Sequence, residues 1–369
     1  MPKSVQRVPA QPFKDQIDRA AVRRVGDAVA GVWPEFARDR FVRRVTRDLA
    51  DLELKARVDR IIDVLAEELP SSMNRAGPIL AGAAGSLSGF DAWALTDYVG
   101  RHGVSEFEPS MRALKKLTVS FTAEFAIRPF LIEHTDRTLA RLAKWTNDRS
   151  EHVRRLVSEG TRPRLPWATR LPEFQREPAP VIELLEKLKD DASEYVRRSV
   201  ANNLNDIAKD HPDLVIDVAT RWSEGAGEER RRLVKHACRT LIKAGHPDVF
   251  AVLGFTARPK VAVRGLAVSP KRIRLGDSVA FRFELVSGAR RRQKIVIDYA
   301  VHHVKKNGKT TRKVFKLTER TLAPGEAIAI DRSHSIRRIT TRTYYSGTHT
   351  VEVLVNGEAR ARADFELRV

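Results

Sequence analysis

Ser150-Glu-His-Val-Arg-Arg-Leu-Val-Ser-Glu159 returns 43 residues later, with selected changes, as Ser193-Glu-Tyr-Val-Arg-Arg-Ser-Val-Ala-Asn202. A looser copy, Glu229-Arg-Arg-Arg-Leu-Val-Lys-His236, places its arginine pair another 34 residues on. A second marker keeps this spacing, since His211-Pro-Asp213 recurs as His246-Pro-Asp248, 35 residues apart. A period of about 35 to 45 residues, with a helix, a turn and an Arg-Arg helix per unit, predicts a HEAT-like α-α solenoid. Because arginine pairs recur, we expect a polyanionic partner.

The charge of the chain points the same way. It has 369 residues, a formal net charge of +20 and a pI near 10.4. Residues 259–369 hold 24 Lys and Arg against 10 Asp and Glu, so +14 of the surplus lies in the last third. Such a surplus can simply keep a surface solvated. Its size and the clustering of arginine nevertheless favour nucleic acid as the partner.

Other compositional features exclude several classes of protein. The single cysteine, Cys238, rules out a disulfide framework and fits a reducing cytosol, where a buried structural thiol is expected. No Cys/His spacing is typical of zinc, and we expect neither a metal nor an organic cofactor. The N-terminus lacks the apolar stretch of a signal peptide, and charged residues interrupt every long apolar run. We therefore expect a soluble protein that neither spans nor binds a membrane.

The apolar spacing divides the chain into three parts. Residues 1–12, with three prolines, are expected to form a flexible tail. Residues 13–258 show helical spacing and are expected to form the HEAT-like repeat domain. Residues 259–369 show strand periodicity and are expected to form a basic β domain. Prolines are expected between the helices, at Pro34, Pro70, Pro78 and Pro109.

Strand signals in the last part have turn signals between them. Apolar alternation marks Val261–Pro270, Ser278–Leu285, Lys294–Val301 and His349–Val355. Asn307-Gly308 and Asn356-Gly357 are strong hairpin signals, and further turns are expected at 275–277 and 324–325. About seven short strands in this length fit a small antiparallel immunoglobulin-like β-sandwich. The predicted fold class is therefore mainly α, a HEAT-like solenoid followed by this β domain.

Two glutamates stand out against the arginines of the repeats. Glu159 ends the first Arg-Arg phrase, and Glu124 lies 35 residues before it. Each precedes an Arg-Pro pair, Arg128-Pro129 or Arg162-Pro163, so the two are expected on one face of adjacent repeats. The plainer alternative is that each glutamate pairs with an arginine and holds the array together. In a cationic groove, however, two carboxylates favour chemistry that stabilises positive charge, such as N-glycosidic bond cleavage.

A rigid loop follows Glu159. Gly160-Thr-Arg-Pro-Arg-Leu-Pro-Trp167 contains two prolines and is expected to be non-helical, with Arg162 and Arg164 beside Trp167. Core packing is the usual fate of a tryptophan. On this loop an indole is instead suited to stacking on a sugar or base, with a cation–π term for a cationic lesion. Glu124, Glu159 and Trp167 are thus the predicted catalytic residues.

Basic residues of the repeats are the predicted DNA contacts. Two neighbouring arginines of a helix point about 100° apart, so at most one of each pair is expected to face the groove. Their phosphate contacts would position DNA without reading sequence. The predicted set is Arg154, Arg155, Arg162, Arg164, Arg197, Arg198, Arg231, Arg232 and Lys235.

Val153-Arg-Arg-Leu-Val-Ser-Glu-Gly-Thr-Arg-Pro-Arg-Leu-Pro-Trp167 resembles the signature of the AlkC-like bacterial DNA alkylation-repair glycosylases. The order of HEAT-like repeats and an immunoglobulin-like domain is also similar, so the resemblance covers nearly the whole chain. It implies excision of cationic alkylated bases, N3-alkyladenine and 3-methylcytosine, from duplex DNA without base flipping. It also implies a protein of the bacterial cytoplasm that acts at the nucleoid, and we expect a monomer.

The resemblance also assigns residues. It implies that Glu124, Glu159 and Trp167 approach the lesion, that Arg155 and Arg162 clamp the DNA, and that the immunoglobulin-like domain helps to encircle the duplex. The related AlkD-like enzymes use a Trp with an Asp one helical turn on. Trp145 and Asp148 match that spacing only loosely, and no role is transferred to them.

Two alternatives come from other functional classes. A non-enzymatic HEAT-repeat scaffold would bury both glutamates in structural salt bridges and release no base. A structural DNA-binding protein would draw most of its affinity from the β domain and bind damaged and undamaged duplex equally.

Overall fold

The computed structural model of the chain describes residues 12–369. The predicted flexible tail, residues 1–12, therefore lies outside the described residues except for Pro12. The chain divides into two compact units, one that ends at Asp210 and a second one, His211–Val369. Each unit is described by itself below.

The first unit is helical, as the apolar spacing predicts. Its core is formed by one stripe of each helix, as at Val58, Ile61, Ile62 and Leu65, all buried. The α-helices are α1 (Arg19–Val32), α2 (Arg38–Thr46), α3 (Leu54–Glu68), α4 (Met73–Ala84), α5 (Phe90–His102), α6 (Phe107–Leu117), α7 (Arg128–Glu133), α8 (Thr135–Trp145), α9 (Glu151–Gly160), α10 (Pro172–Arg176), α11 (Ala179–Leu188) and α12 (Glu194–Ile207), with 3-10 turns at Phe13–Gln16 and Leu49–Asp51.

Two of the four prolines expected between helices lie inside them. Pro34 and Pro70 do separate helices, but Pro78 lies within α4 and Pro109 is the third residue of α6. The prediction was therefore wrong for these two. Pro109 is tolerated because the first-turn N–H groups of a helix have no partner within it. At Pro78 the tertiary packing of α4, which buries Leu80 and its neighbours, outweighs the lost hydrogen bond.

The second unit contains both helices and strands. Its helices are α13 (Pro212–Ser223), α14 (Glu228–Ala237), α15 (Arg239–Ala244) and α16 (Pro247–Val252). Its strands are β1 (Val261–Ser269), β2 (Arg272–Arg274), β3 (Ser278–Ser287), β4 (Gln293–Val304), β5 (Thr310–Leu322), β6 (Ala327–Ser335), β7 (Gly347–Val355) and β8 (Glu358–Arg368). The change from helices to strands falls where the sequence pattern changes.

The strands form a sandwich of two sheets, in the orders β1-β3-β6 and β2-β8-β7-β4-β5. Inward-facing residues such as Phe281, Ile297 and Val353 form its core. The predicted fold class is confirmed, with one departure: β2 pairs with β8 in parallel, so the sandwich is not wholly antiparallel. Eight strands are observed against about seven predicted. Apolar alternation does not mark β5 and β6, because their many exposed polar residues hide it.

The predicted turn at Asn356-Gly357 joins β7 to β8, and both residues have positive φ. A Cβ on Gly357 would lie 2.3 Å from the Cα of Gly245, so the end of α15 packs directly on this turn. The last helices are thus part of the unit that holds the sandwich. Cys238 is buried there, and burial raises the pKa of its thiol to about 12, as suits a structural cysteine.

Within residues 12–369, no helix has both the length and the apolar character needed to cross a membrane. The same residues contain no group of three or more His, Cys, Asp or Glu side chains placed to hold a metal ion.

Candidate active site

The two copies of the repeated phrase form α9 and α12, which pack against each other. Both helices begin in the same way. The amide of Ser150 donates to Asp148 at 3.0 Å, and the amide of Ser193 donates to Asp191 at 2.8 Å. An aspartate two residues before the cap thus fixes the entry of each helix.

The first arginine of each pair has a structural role. The Arg154 guanidinium donates to the carbonyls of Asp148 and Arg149, at 2.8 and 3.1 Å, and binds Asp191 through two further hydrogen bonds. Arg197 donates to the carbonyls of Asp191 and Ala192. In the third copy, which lies in the second unit, Arg231 donates to the carbonyl of Ala226. These three arginines therefore hold the starts of their helices, and a phosphate would compete with these bonds. Their predicted contacts with DNA stay a prediction.

Glu124 lies on the loop between α6 and α7, held close against two helices. A Cβ on Gly100 of α5 would lie 2.7 Å from the Cα of Ala126, and a Cβ on Gly160 of α9 would lie 2.6 Å from Ile127 Cγ2. Only glycine permits these approaches without a shift. The two glycines therefore set how near Glu124 comes to the end of α9, where Glu159 lies.

Arg155 bridges the two predicted catalytic glutamates. Its Nη1 lies 2.9 Å from Glu124 Oε2, and its Nη2 lies 3.7 Å from Glu159 Oε2. The guanidinium carbon also lies 4.6 Å from the ring centroid of Tyr195, a cation–π contact. Burial would lower the pKa of Arg155, but the two glutamates outweigh it and raise that pKa. The structure thus brings Glu124 and Glu159 together around one cation.

Glu159 is held by a second set of partners at the end of α9. Arg162 Nη1 donates to Glu159 Oε1 at 2.6 Å, and Ser199 Oγ donates to Oε2 at 2.6 Å. The Nε of Arg162 binds Asp206 at 2.9 Å, and Lys209 binds the other oxygen of Asp206. Glu159 therefore has fixed geometry and both of its oxygens are occupied.

The glutamates are little exposed. Glu124 is 8% exposed and Glu159 4% exposed, and both are paired with arginine. These are the contacts that the salt-bridge alternative predicts. A carboxylate in this setting interacts with nearby charge more strongly than it would in water, because the surrounding protein screens less. The arrangement can therefore hold the array together and also stabilise a cation that comes close to it.

Trp167 lies at the surface on the loop that follows α9. It is 61% exposed and has a φ of 66°, in the left-handed region that non-glycine residues seldom adopt. Lys55 Nζ lies 3.3 Å from its carbonyl oxygen. Trp167 is therefore absent from the core and presented outward by a constrained backbone, as the two prolines of the loop suggest.

Arg128 holds this loop from beneath and was not among the predicted site residues. The side chain is 1% exposed and donates to the carbonyls of Thr169, Gly160 and Arg162, at 2.6, 2.9 and 3.0 Å. Burial, with the neighbouring Arg162, lowers its pKa to about 10, so it stays a cation at neutral pH. Arg128 closes the two ends of the loop that carries Trp167.

Four predicted DNA contacts remain, two in each unit. Arg164 pairs with Asp210 at 2.6 Å, while Arg198 is exposed on α12. In the second unit, Arg232 pairs with Glu228, and Lys235 lies 2.6 Å from Glu319. These four cations are at or near the surface of their own units.

Sequence reasoning missed Ser199 and Asp206, although a signal for them exists. Val196, Ser199, Asn203 and Asp206 follow one face of α12 at the spacing that normally marks an apolar stripe, and all four are buried. In the repeat register Ser199 replaces Leu156. A polar residue at a buried position where the first copy has an apolar one indicates a buried polar network. In α12 this network includes the hydrogen bond from Ser199 to Glu159.

Family models match both parts of the chain. A model described as "DNA alkylation repair enzyme" matches residues 42–241. A model described as "Uncharacterised protein YhaZ, C-terminal Ig-like domain" matches residues 262–369.

Relatives cover almost the full length. The "Uncharacterized protein YhaZ" of Bacillus subtilis (strain 168) is 40% identical over 340 residues, which are 92% of this chain and 94% of the relative. The solved structure of the Pseudomonas fluorescens alkylpurine DNA glycosylase AlkC, bound to DNA containing an abasic site analog, is 40% identical. It superposes with a TM-score of 0.91 over 97% of this chain and 100% of that chain.

Proposed function

The chain belongs to the family of DNA alkylation repair enzymes, and we propose that it is a DNA glycosylase that excises cationic alkylated bases from duplex DNA. The proposed substrates are N3-alkyladenine and 3-methylcytosine. The observation that carries the proposal is that two buried carboxylates, Glu124 and Glu159, meet around Arg155, with the exposed Trp167 on the loop that follows Glu159. We propose that it acts as a monomer, at the nucleoid of the bacterial cytoplasm.

The reaction needs little catalytic assistance, because a cationic base is already a good leaving group. The bond between C1′ and the base nitrogen breaks, and its electron pair neutralises the cationic base, which leaves without prior protonation. Positive charge then develops on the sugar, and water attacks C1′ and releases a proton. Glu124 and Glu159 stabilise that charge through their field rather than by direct contact, since little of either side chain is exposed.

Trp167 and the cations have supporting roles. The exposed indole packs on the lesion or its sugar and favours a positively charged base over its face. Arg155, Arg162, Arg164 and Arg198, with Arg232 and Lys235 of the second unit, supply the phosphate contacts. The immunoglobulin-like domain, with its surplus of +14, adds further contacts to the duplex.

We further propose that the base stays in the stack. A flipping enzyme extrudes the base into a pocket and fills the gap that it leaves. Here the aromatic residue of the site is exposed, and the two carboxylates are buried. Such a site would tolerate bulky adducts, because no closed pocket excludes them.

The decisive experiment uses the purified full chain and duplex DNA treated with a methylating agent. Free 3-methyladenine and 3-methylcytosine are measured over time, with E159Q and E124Q as variants. Release of free base that the variants reduce supports the proposal, and absence of release overturns it. A duplex with one bulky N3 adduct tests the stacking proposal. Excision within about an order of magnitude of the methyl lesion supports it, and complete rejection overturns it.

The ion pairs of Glu124 and Glu159 also favour the non-enzymatic scaffold as a second candidate. In that case the network serves only to join repeats, and the same experiment would release no base from any substrate. A structural DNA-binding protein would differ again, since it would bind methylated and unmethylated duplex equally and release no base.

A further inference from the structure

Phe13 is an exposed aromatic residue next to Trp167, and no pattern in the sequence singles it out. It lies in the 3-10 turn Phe13–Gln16 and is 56% exposed, close to the 61% of Trp167. The two ring centroids are 6.3 Å apart, with an interplanar angle of 71°. Two large apolar side chains from distant parts of the sequence thus form one exposed surface.

The backbone under Phe13 is anchored. Arg57 is 5% exposed, and its Nη1 donates to the carbonyls of Lys14 and Ile17 at 2.8 and 3.0 Å. Ile17 is itself 1% exposed, and Lys14 Nζ lies 2.7 Å from Glu53. These contacts therefore hold the backbone of Phe13 in place at the surface. Exposure of a large apolar side chain on such a support costs solvation free energy unless something covers it.

Aromatic rings connect this surface to the loop of Glu124. The ring of Phe90 lies 5.9 Å from Phe13 and 6.0 Å from Phe121. Phe121 stacks on Trp93 with centroids 5.4 Å apart, and it precedes Glu124 by three residues. The exposed pair is therefore the outer end of an aromatic row whose inner end borders the candidate active site.

We propose that Phe13 and Trp167 together form an aromatic contact to the DNA strand that carries the lesion, with their rings packing on its deoxyribose faces and base edges. This inference rests on the proposed function and adds Phe13 to its site. Aromatic and apolar side chains beside phosphate-binding cations are a common way to grip nucleic acid without reading sequence. Lys55, which binds the Trp167 carbonyl and is exposed, supplies a cation at this surface.

The test compares F13A, F13L, W167A and the double variant F13A/W167A in the full chain. Single-turnover excision from a duplex with one 3-methyladenine is measured, together with the Kd for a duplex with an abasic site. We expect F13A to lower affinity or rate about fivefold to tenfold, in keeping with loss of one stacking contact. F13L keeps the apolar cover over Phe90 but lacks a ring, and we expect it to lose nearly as much as F13A.

The matched control is I132A, since Ile132 is 53% exposed on the same unit and belongs to no aromatic row. We expect I132A to behave as the parent. Because the two rings form one surface, the double variant should lose less than the product of the single losses. Melting temperatures of all variants show whether a loss follows from instability.

Three results would overturn the inference. F13A could match the parent in both rate and affinity, F13L could match the parent while F13A does not, or the losses could track the melting temperatures. Failure of the proposed function looks different, because the parent itself would then release no base. In that event binding of the abasic duplex by F13A and the parent still decides whether Phe13 contacts DNA.

Discussion

The two copies of the repeated phrase fold alike and do different things. In both copies, an aspartate accepts a hydrogen bond from the amide of the N-cap serine. The first arginine of each pair donates to carbonyls of the turn before the helix. In both, a ring stands at the third position of the phrase, and these rings, His152 and Tyr195, lie 5.8 Å apart. The shared residues of the phrase therefore build the helix and join it to its neighbour.

The differences between the copies make the site. The second arginine is enclosed by two glutamates and Tyr195 in α9, whereas its counterpart, Arg198, is exposed in α12. Glu159 is replaced by Asn202, and Leu156 by Ser199, which turns back to bind Glu159. We therefore propose that the chemistry resides where one copy departs from the other, and substitutions at equivalent positions can test this.

The largest effect is expected from Arg155→Met, compared with Arg198→Met at the equivalent position. Loss of Arg155 leaves two little-exposed carboxylates without their common cation, which should cost about 3 kcal/mol of stability. Excision should fall about a hundredfold, because the geometry and charge of the pair change together. R198M should keep the parent's stability and its excision rate at saturating protein, and it should weaken duplex binding only by the loss of one phosphate contact. Urea unfolding and single-turnover excision measure both quantities, and equal losses in the two variants would show that the copies do not differ in function.

Glu159→Gln is expected to have the next largest effect. It keeps the shape of the side chain but removes the charge proposed to stabilise the transition state, so excision should fall at least about tenfold. Duplex binding should stay nearly intact. Glu194→Gln removes an exposed glutamate from the start of the other copy and serves as the control. An excision rate for E159Q equal to that of the parent would remove Glu159 from the mechanism.

Much of the architecture could be predicted from the sequence, and the reasons are local. Helical spacing, the Arg-Arg period and the Asn-Gly turns fix element types within a few residues, so the solenoid-plus-sandwich class is confirmed. The resemblance of residues 153–167 to the AlkC-like glycosylases is confirmed as well. The position of Trp167 on a surface loop follows from the two prolines that precede it.

The partners of the site could not be predicted, because they depend on tertiary contacts. Arg128 reads as one residue of an Arg-Pro pair, and only the folded chain shows that it binds three carbonyls of the Trp167 loop. Phe13 borders a stretch that reads as a tail, and its contact with Trp167 spans most of the first unit in sequence. The role of each paired arginine depends on which backbone carbonyls lie within hydrogen-bond distance of its guanidinium, and this is set by the turn before the helix.

Combining Glu124→Gln with Glu159→Gln tests whether the two glutamates act as a unit. Both contact Arg155, so removal of one charge already changes the position of the shared cation. We expect the double variant to lose less excision activity than the product of the two single losses. Single-turnover rates of the four proteins form the cycle. Strict multiplication of the effects would mean that the glutamates act independently.

The smallest effects are expected from Asp191→Asn and Asp148→Asn, which test what the copies share. Each aspartate binds a cation of an earlier helix: Arg154 of α9 binds Asp191 through two hydrogen bonds, and Lys115 of α6 lies 2.5 Å from Asp148. Burial alone would raise the pKa of either carboxyl, but these cations and the serine amides outweigh it and lower the pKa. At pH 7 we expect losses of about 2 kcal/mol for D191N and about 1 kcal/mol for D148N, whose partner is more exposed.

The pH dependence of these losses has a definite sign. A carboxyl with a lowered folded-state pKa contributes stability above its unfolded value, about 3.9, and that contribution is lost as the pH falls through the folded value. The gap in stability between the parent and each variant should therefore be full at pH 7, shrink once the pH falls below about 4, and close as the pH falls through the folded-state pKa. Urea unfolding followed by tryptophan fluorescence measures the gap at each pH. Because both aspartates lie outside the chemistry, excision at pH 7 should stay within about twofold of the parent. A tenfold loss of excision in either variant would mean that the residues shared by the two copies also serve the chemistry, and not only those that differ.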